Sequence, residues 1–147
     1  MLLDLGNREF APAERPSWGD HFAWDELAAL WNSNDLATAH DWLNDRWSRL
    51  VRNRPGGQAD PEAQFLQALA FAVIGLYMTQ TGNQEGARLM MDDAVVALNR
   101  YRPAFLGVRI DPILASLDEI RPLLSGLPAD AECPLFPFVT RKFEYDR

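Results

Sequence analysis

The chain has 147 residues and a net charge of -7, because 21 Asp and Glu outnumber 14 Lys and Arg. This length suits a single domain with a sizeable core, and the lone cysteine excludes a disulfide framework and a cysteine-based zinc site. The acidic balance argues against nucleic acid and anionic membranes as partners, since both would repel most of the surface. The start of the chain lacks the basic and apolar regions of a signal peptide, so we expect a cytoplasmic protein.

In chain order, the predicted elements begin with an arm and two helices. Residues 1–20 contain prolines and show no sustained hydrophobic period, which predicts an extended N-terminal arm. A short apolar stripe that starts at Phe22 predicts a first helix. A second, amphipathic helix is predicted over about residues 35–51. Its inward stripe runs at steps of three and four through Leu36, His40, Leu43, Trp47 and Leu50.

The middle of the chain predicts two longer helices joined by a tight turn. Asp60 suits an N-cap and Pro61 suits the first helical position. The apolar run that follows predicts a fully buried core helix that extends to about residue 80. Gly82 marks the turn, and apolar residues at alternating steps predict the next helix over about residues 84–100.

A last helix and a tail complete the predicted domain. The helix should begin near Asp111, and it should kink or end near Ile120, because Pro122 cannot donate a hydrogen bond to the helix. Residues 127–147 are apolar but rich in proline, so we expect them to dock on the helices as an extended segment. The domain is thus predicted to have a helical core of residues 22–125 between the arm and the tail.

A weak internal repeat groups the helices into two hairpins. The turn at Gly82 lies 48 residues after the turn at Asn34, and small and apolar residues follow the two turns at the same intervals. In the second unit, Gly75 and Ala87 are small enough for the close helix approach of tetratricopeptide repeats. We therefore predict an all-α fold of about five helices, in which two antiparallel, tetratricopeptide-like hairpins and a capping helix close into a bundle with extended termini.

Three stretches of the chain resemble one protein family. They are LWNSNDLATAHDWLNDRW at residues 30–47, FLQAL at residues 65–69 and GVRID at residues 107–111. In these stretches the chain resembles domain-of-unknown-function family 309, which comprises small all-helical proteins of bacteria and archaea. The resemblance covers about residues 30–124. It implies an all-helical fold and leaves the activity open, because that family has no agreed activity.

The chain departs from this family pattern at polar positions. Thr38, Asp41 and Asn44 stand where the family usually has Glu, and Met78 stands where its long helix often carries a second His. What the resemblance leaves of the family's polar set is His40, Asp41 and Gln67.

His40 is the most informative polar residue, because it lies on an apolar stripe. An unpaired buried polar group costs about 1 to 3 kcal/mol, and Gln67, inside the apolar helix, is the predicted hydrogen-bond partner. We favour a buried His40–Gln67 pair that sets the helix register, and the alternative is a ligand-binding or catalytic pocket that includes Asp41. No metal site or cofactor is expected, since zinc prefers three or four ligands and Asp45 would complete a set of at most three.

Trp42 and Asp45 suggest an interaction surface. Trp42 lies off the apolar stripe of its helix, and exposed aromatic residues of this size are typical of interfaces. We therefore favour a non-catalytic module that binds a protein partner or self-associates through Trp42, the loop at residues 55–57 and the acidic helix face that includes Asp45. The alternative is a small-molecule-binding protein or an enzyme with a polar pocket at His40 and Gln67. A sealed pair would favour the module, and an open pocket would favour the alternative.

Overall fold

A computed structural model of the chain describes residues 22–125 and 143–146. Over these residues the protein consists of helices and one small hairpin, and the predicted all-α fold is confirmed. The elements are α1 (Trp24–Asn32), α2 (Leu36–Asn53), a 3-10 helix (Gly57–Ala59), α3 (Pro61–Gln80), α4 (Gln84–Asn99), β1 (Ala104–Phe105), β2 (Val108–Arg109) and α5 (Ile110–Ser125). The predicted arm at residues 1–20 and most of the predicted tail lie outside the described residues.

The caps at α3 and α4 explain why these helices begin where they do. The Asp60 side chain accepts hydrogen bonds from the backbone N–H groups of Glu62 and Ala63, both at 3.0 Å, and Pro61 occupies the first helical position. At α4, the Asn83 side chain accepts from the N–H of Gly86 at 3.0 Å. These side chains satisfy donors that have no partner within the helix, so both starts follow from the local sequence.

The long helix α3 forms the centre of the core. It packs against α2 and α4, and α4 packs in turn against α5. Half of its residues are buried, including Phe65, Leu69 and Leu76. Among the described helices, α3 has the length and composition to cross a membrane, and 56% of that stretch is buried inside the protein. A helix that is apolar on most sides is also what the centre of a bundle requires.

Gly75 sets the spacing between α3 and α4. A Cβ at this position would lie 2.8 Å from Cγ of Met91 and 3.3 Å from its backbone nitrogen, and Met91 is fully buried. The missing side chain therefore permits the close helix approach that the sequence predicts. The two predicted hairpin turns are present, since α1 and α2 are joined at residues 33–35 and α3 and α4 at residues 81–83. The likeness to tetratricopeptide repeats stays a prediction.

Of the two outcomes expected at Pro122, a kink or an end of α5 near Ile120, the end does not occur. The helix continues through Pro122 to Ser125. Proline removes one backbone donor, which costs the helix a single hydrogen bond near its end, and the extra turn buries Leu124 completely. Burial of a leucine side chain stabilises by about 1.5 to 3 kcal/mol, which offsets that loss.

A small sheet lies between α4 and α5, where the sequence analysis predicts no strand. β1 and β2 pair antiparallel as a hairpin. Tyr145 forms an antiparallel bridge to Val108 of β2, so residues 143–146 line up beside the hairpin in an extended form. The predicted docking of the whole tail on the helices stays a prediction, because most of residues 127–147 lie outside the described residues.

Candidate binding pocket between α2 and α3

His40 and Gln67 line one pocket at the seam between α2 and α3. The cavity has a volume of about 170 Å³. Its polar side chains are those of His40, Asn44 and Gln67, and its apolar lining includes Leu43, Trp47, Leu66, Ala70, Phe71 and Ile74. The structure thus brings together the two residues that the sequence singled out, from helices that are distant along the chain.

The predicted buried His40–Gln67 pair is wrong. The His40 side chain is 40% exposed and Gln67 is exposed. Among the described residues, no hydrogen bond joins these two side chains. Gln67 is one of the exposed residues of α3, so its polar side chain is in contact with solvent at the mouth of the pocket.

The position of His40 follows from the phase of the α2 stripe. The side chains that α2 buries are those of Leu36, Ala39, Leu43 and Leu50. Ala39 takes the inward position that the sequence analysis assigned to its neighbour, and successive residues on a helix point about 100° apart. His40 is thereby turned toward the edge of the seam, where it borders the pocket.

Trp47 and Phe71 are the large side chains of the pocket, and both are half-buried. The indole N–H of Trp47 is buried and has no hydrogen-bond acceptor among the described residues. An unsatisfied buried donor costs about 1 to 3 kcal/mol, and among the described residues the core residue Trp31 carries a second such indole N–H. We expected Trp47 in the core, and the sequence carries no signal that it borders a cavity.

Asp41 and Asp45 lie on the outward face of α2. The Asp41 side chain is 86% exposed, and its Oδ1 is 3.9 Å from Nδ1 of His40, which is too long for a hydrogen bond. Asp45 forms ion pairs with Arg49 at 3.1 Å and with Arg46 at 3.7 Å. The described residues contain no group of three or more His, Cys, Asp or Glu side chains placed to hold a metal ion.

Trp42 joins α1 to α2. Its indole N–H donates to Oε1 of Glu26 at 2.9 Å, and its ring centroid is 5.9 Å from that of Trp24. The guanidinium of Arg46 lies 3.8 Å from the centre of the Trp42 ring and 3.3 Å from Glu26. Burial lowers the pKa of Arg46, and the charge of Glu26 opposes that shift. Much of Trp42 is therefore engaged within the protein, and its place in an interaction surface stays a prediction.

Arg54 is a structural residue that the sequence analysis missed. Its guanidinium donates to Oδ1 of Asp60 at 3.1 Å and to Oε1 of Glu62 at 2.9 Å, and the Arg54 side chain is only 4% exposed. Asp60 therefore caps α3 and binds this arginine at the same time. The network anchors the loop at residues 55–57 to the start of α3 and closes one end of the α2–α3 seam.

Comparison with protein-family models, with curated proteins and with solved structures found no match for this chain. The resemblance to domain-of-unknown-function family 309 stays a prediction.

Proposed function

We propose that the protein is a non-catalytic interaction module whose α2–α3 pocket takes one apolar side chain of a protein partner. The observation that supports this is the size of the pocket. Sites for drug-sized ligands measure about 300 to 1,000 Å³, whereas this pocket measures about 170 Å³. A cavity of about 150 Å³ accepts a molecule the size of benzene, so one aromatic or branched aliphatic side chain would fill the space.

The lining suits an anchor side chain from a partner. Trp47, Phe71 and Ile74 offer apolar surface, and residues that carry most of the energy of an interface are typically buried in such pockets. His40 and Gln67 stand beside this surface with exposed polar groups. They can exchange hydrogen bonds with the peptide groups on either side of the anchor.

The charge beside the pocket favours a basic neighbour for the anchor. The Asp41 carboxylate, 86% exposed, lies next to His40 and is not held in a close ion pair. The whole chain has a net charge of -7. A partner segment in which Lys or Arg follows the apolar anchor would therefore be attracted to this edge, and the attraction would weaken with salt.

A small-molecule-binding protein or an enzyme is the second candidate. An open pocket is the outcome that the sequence-based criterion assigns to this candidate, and His40 and Gln67 do border an open pocket and are not hydrogen-bonded to each other. It stands second because the pocket volume of about 170 Å³ is below that of sites for drug-sized ligands. In that case the ligand would be a fragment-sized polar molecule that engages both side chains directly.

The pocket can be tested with side-chain mimics. N-acetyl-phenylalaninamide, N-acetyl-leucinamide and an acetylated Phe-Arg amide are titrated into isotope-labelled protein while NMR follows the His40, Gln67 and Trp47 side chains. The Phe-Arg compound should bind most tightly because its guanidinium lies near Asp41. Ala70→Leu fills the pocket and should weaken binding at least tenfold, whereas Gln64→Leu, an exposed control on the same helix, should leave it unchanged.

Two outcomes would contradict the proposal that the protein is an interaction module. Saturable binding of small polar metabolites, with no response to the side-chain mimics, would favour the second candidate. Equal responses of wild type and Ala70→Leu to the mimics would show that they bind elsewhere on the surface.

A further inference from the structure

Residues 143–146 occupy a cleft between α1 and the β1–β2 hairpin, separate from the α2–α3 pocket. Phe143 is 2% exposed, and its ring centroid lies 5.1 Å from that of Trp31 and 6.1 Å from that of Trp24. The Asn32 amide brackets the backbone of Phe143. Its Nδ2 donates to the Phe143 carbonyl at 3.1 Å, and the Phe143 N–H donates to its Oδ1 at 3.1 Å. The cleft thus binds the aromatic side chain of Phe143 and also the backbone N–H and carbonyl groups of the same residue.

The rest of the segment adds a strand to the hairpin. The N–H of Arg109 donates to the carbonyl of Glu144 at 2.9 Å, and the N–H of Asp146 donates to the carbonyl of Gly107 at 2.6 Å. The side chains of Arg109 and Asp146 form an ion pair at 3.0 Å. This is β-strand addition, in which main-chain bonds supply affinity and a side-chain pocket supplies specificity.

Gly107 shapes the cleft for an incoming backbone. Its φ of +84° is unfavourable for other residues, and a Cβ there would lie 3.2 Å from the carbonyl oxygen of Asp146. The backbone of the segment therefore approaches the hairpin where the hairpin has no side chain. A close main-chain approach of this kind is a property of the cleft, and any segment of the same sequence would meet it.

The number of residues between α5 and Phe143 sets how far from α5 the segment can reach. Residues 126–142 separate α5 from Phe143. A link of about 17 residues spans up to roughly 55 Å when extended. The contacts that hold the segment are made to α1, Gly107 and β2, and all of these are available in the same form on a second copy.

We propose that this cleft is a peptide-binding site for an extended Phe-acidic-Tyr-acidic segment, and that a second copy of this chain supplies the segment in trans. At low protein concentration each copy fills its own cleft, because the link holds the segment at a high effective concentration. As the concentration rises, two copies exchange segments reciprocally and form a closed two-fold dimer. The exchanged dimer uses the same hydrogen bonds and the same aromatic pocket as the monomer.

The first test uses the full chain and a fluorescein-labelled peptide of residues 141–147, blocked at both ends. Phe143→Ala removes the chain's own anchor and leaves the cleft intact, so fluorescence anisotropy should show at least tenfold tighter peptide binding than to wild type. A peptide with Ala in place of Phe should not bind, and adding Asn32→Ala to the variant should weaken binding. Circular dichroism checks that each variant keeps its helix content. Equal binding of the two peptides, or no binding to a folded Phe143→Ala chain, would overturn the proposal.

A second test needs no change in the aromatic pocket. Arg109→Asp and Asp146→Arg each place like charges across a pair whose side chains are 55% and 56% exposed. In a mixture of the two variants, reciprocal exchange restores both ion pairs. Native mass spectrometry should show the mixed dimer well above the proportion that random pairing of the two variants gives, and added salt should remove this excess. A control mixture of Arg109→Asp with Glu144→Ala should show no excess. Dimers in statistical proportion in the first mixture would show that copies do not exchange the segment.

Discussion

Helix α3 packs most extensively against α2 and α4, and these two contacts differ in the side chains at the seam. Toward α4, Gly75 lets the two helices approach closely. A Cβ at position 75 would lie only 2.8 Å from Cγ of the buried Met91. Toward α2, the half-buried rings of Trp47 and Phe71 border a cavity of about 170 Å³. One helix therefore has a closed seam on one side and an open seam on the other.

The difference shows that hydrophobicity does not by itself make a core. Both seams are lined mainly by apolar residues, but small residues allow full contact, whereas large rings next to polar side chains leave space. At one end of the open seam, the buried side chains of Arg54 and Asp60 and the partly buried Glu62 form an ion-pair network that joins the end of α2 to the start of α3. We expect the closed seam to be sensitive to added volume and the open seam to be sensitive to the loss of this network.

The largest expected effect is at the polar end of the open seam. Arg54→Ala should lower the free energy of unfolding by about 3 kcal/mol, because it leaves the buried Asp60 carboxylate and the partly buried Glu62 carboxylate without their cation. The melting temperature should fall by roughly 10 °C. Arg52→Ala, an exposed change on the same helix, is the control and should stay within about 0.5 kcal/mol of wild type. Equal losses for the two variants in urea unfolding would refute a stabilising role for the network.

A smaller loss is expected when volume is added to the closed seam. Gly75→Val should destabilise the protein by about 2 kcal/mol, because its side chain would overlap Met91. Gln64→Val places the same side chain on the exposed surface of α3 and should have little effect. The double variant Gly75→Val/Met91→Ala should lose less stability than the sum of the losses of the two single variants, because the smaller residue at position 91 makes room for valine. Strict additivity would mean that these two residues do not compete for space.

Added side-chain volume should have the opposite effect on stability at the open seam between α2 and α3. Ala70→Leu enters the pocket and should be neutral or stabilising by up to about 1 kcal/mol. Ala72→Leu, at a fully buried position two residues along, should destabilise by about 1 to 3 kcal/mol. Chemical denaturation of the two variants measures the contrast directly. A loss of similar size at both positions would show that the α2–α3 seam is closed in solution.

The smallest expected effect on stability is at high pH and concerns Tyr101, which follows the end of α4. Tyr101 packs at 4.9 Å between ring centroids against both Phe65 and Phe105, and burial raises its pKa while Arg100 opposes the shift. The folded protein therefore favours the protonated phenol. Its contribution to stability is complete below the unfolded pKa of about 10 and is lost as pH rises through the higher folded value. Tyr101→Phe should reduce the loss of stability in urea unfolding at alkaline pH, and an unchanged pH dependence would contradict this assignment.

Local signals predicted much of the helical framework. The start of α3 is predicted correctly because Asp60 and Pro61 carry capping chemistry within four residues of the chain. The close approach at Gly75 is also predicted, since a small residue in an apolar helix has few other uses. The hairpin at residues 104–109 is missed because its strands have two residues each, which is too short for an alternating pattern.

The candidate pocket is predicted only in part, and the reason lies in α2. Two stripes on this helix share Leu36, Leu43 and Leu50. One stripe continues through His40 and the other through Ala39, and the sequence alone does not say which faces inward. Because the structure buries Ala39, His40 moves from the core to the rim of the pocket.

The sequence by itself determined the class of fold and the positions of most helix starts and turns. These depend on capping residues, glycines and hydrophobic period, which act over a few neighbouring residues. Only the tertiary structure decided which side of α3 is open, where Arg54 is buried, and that Phe143 docks between α1 and the hairpin. Each of these depends on side chains that meet from distant parts of the chain, where shape and hydrogen-bond geometry outweigh local preference.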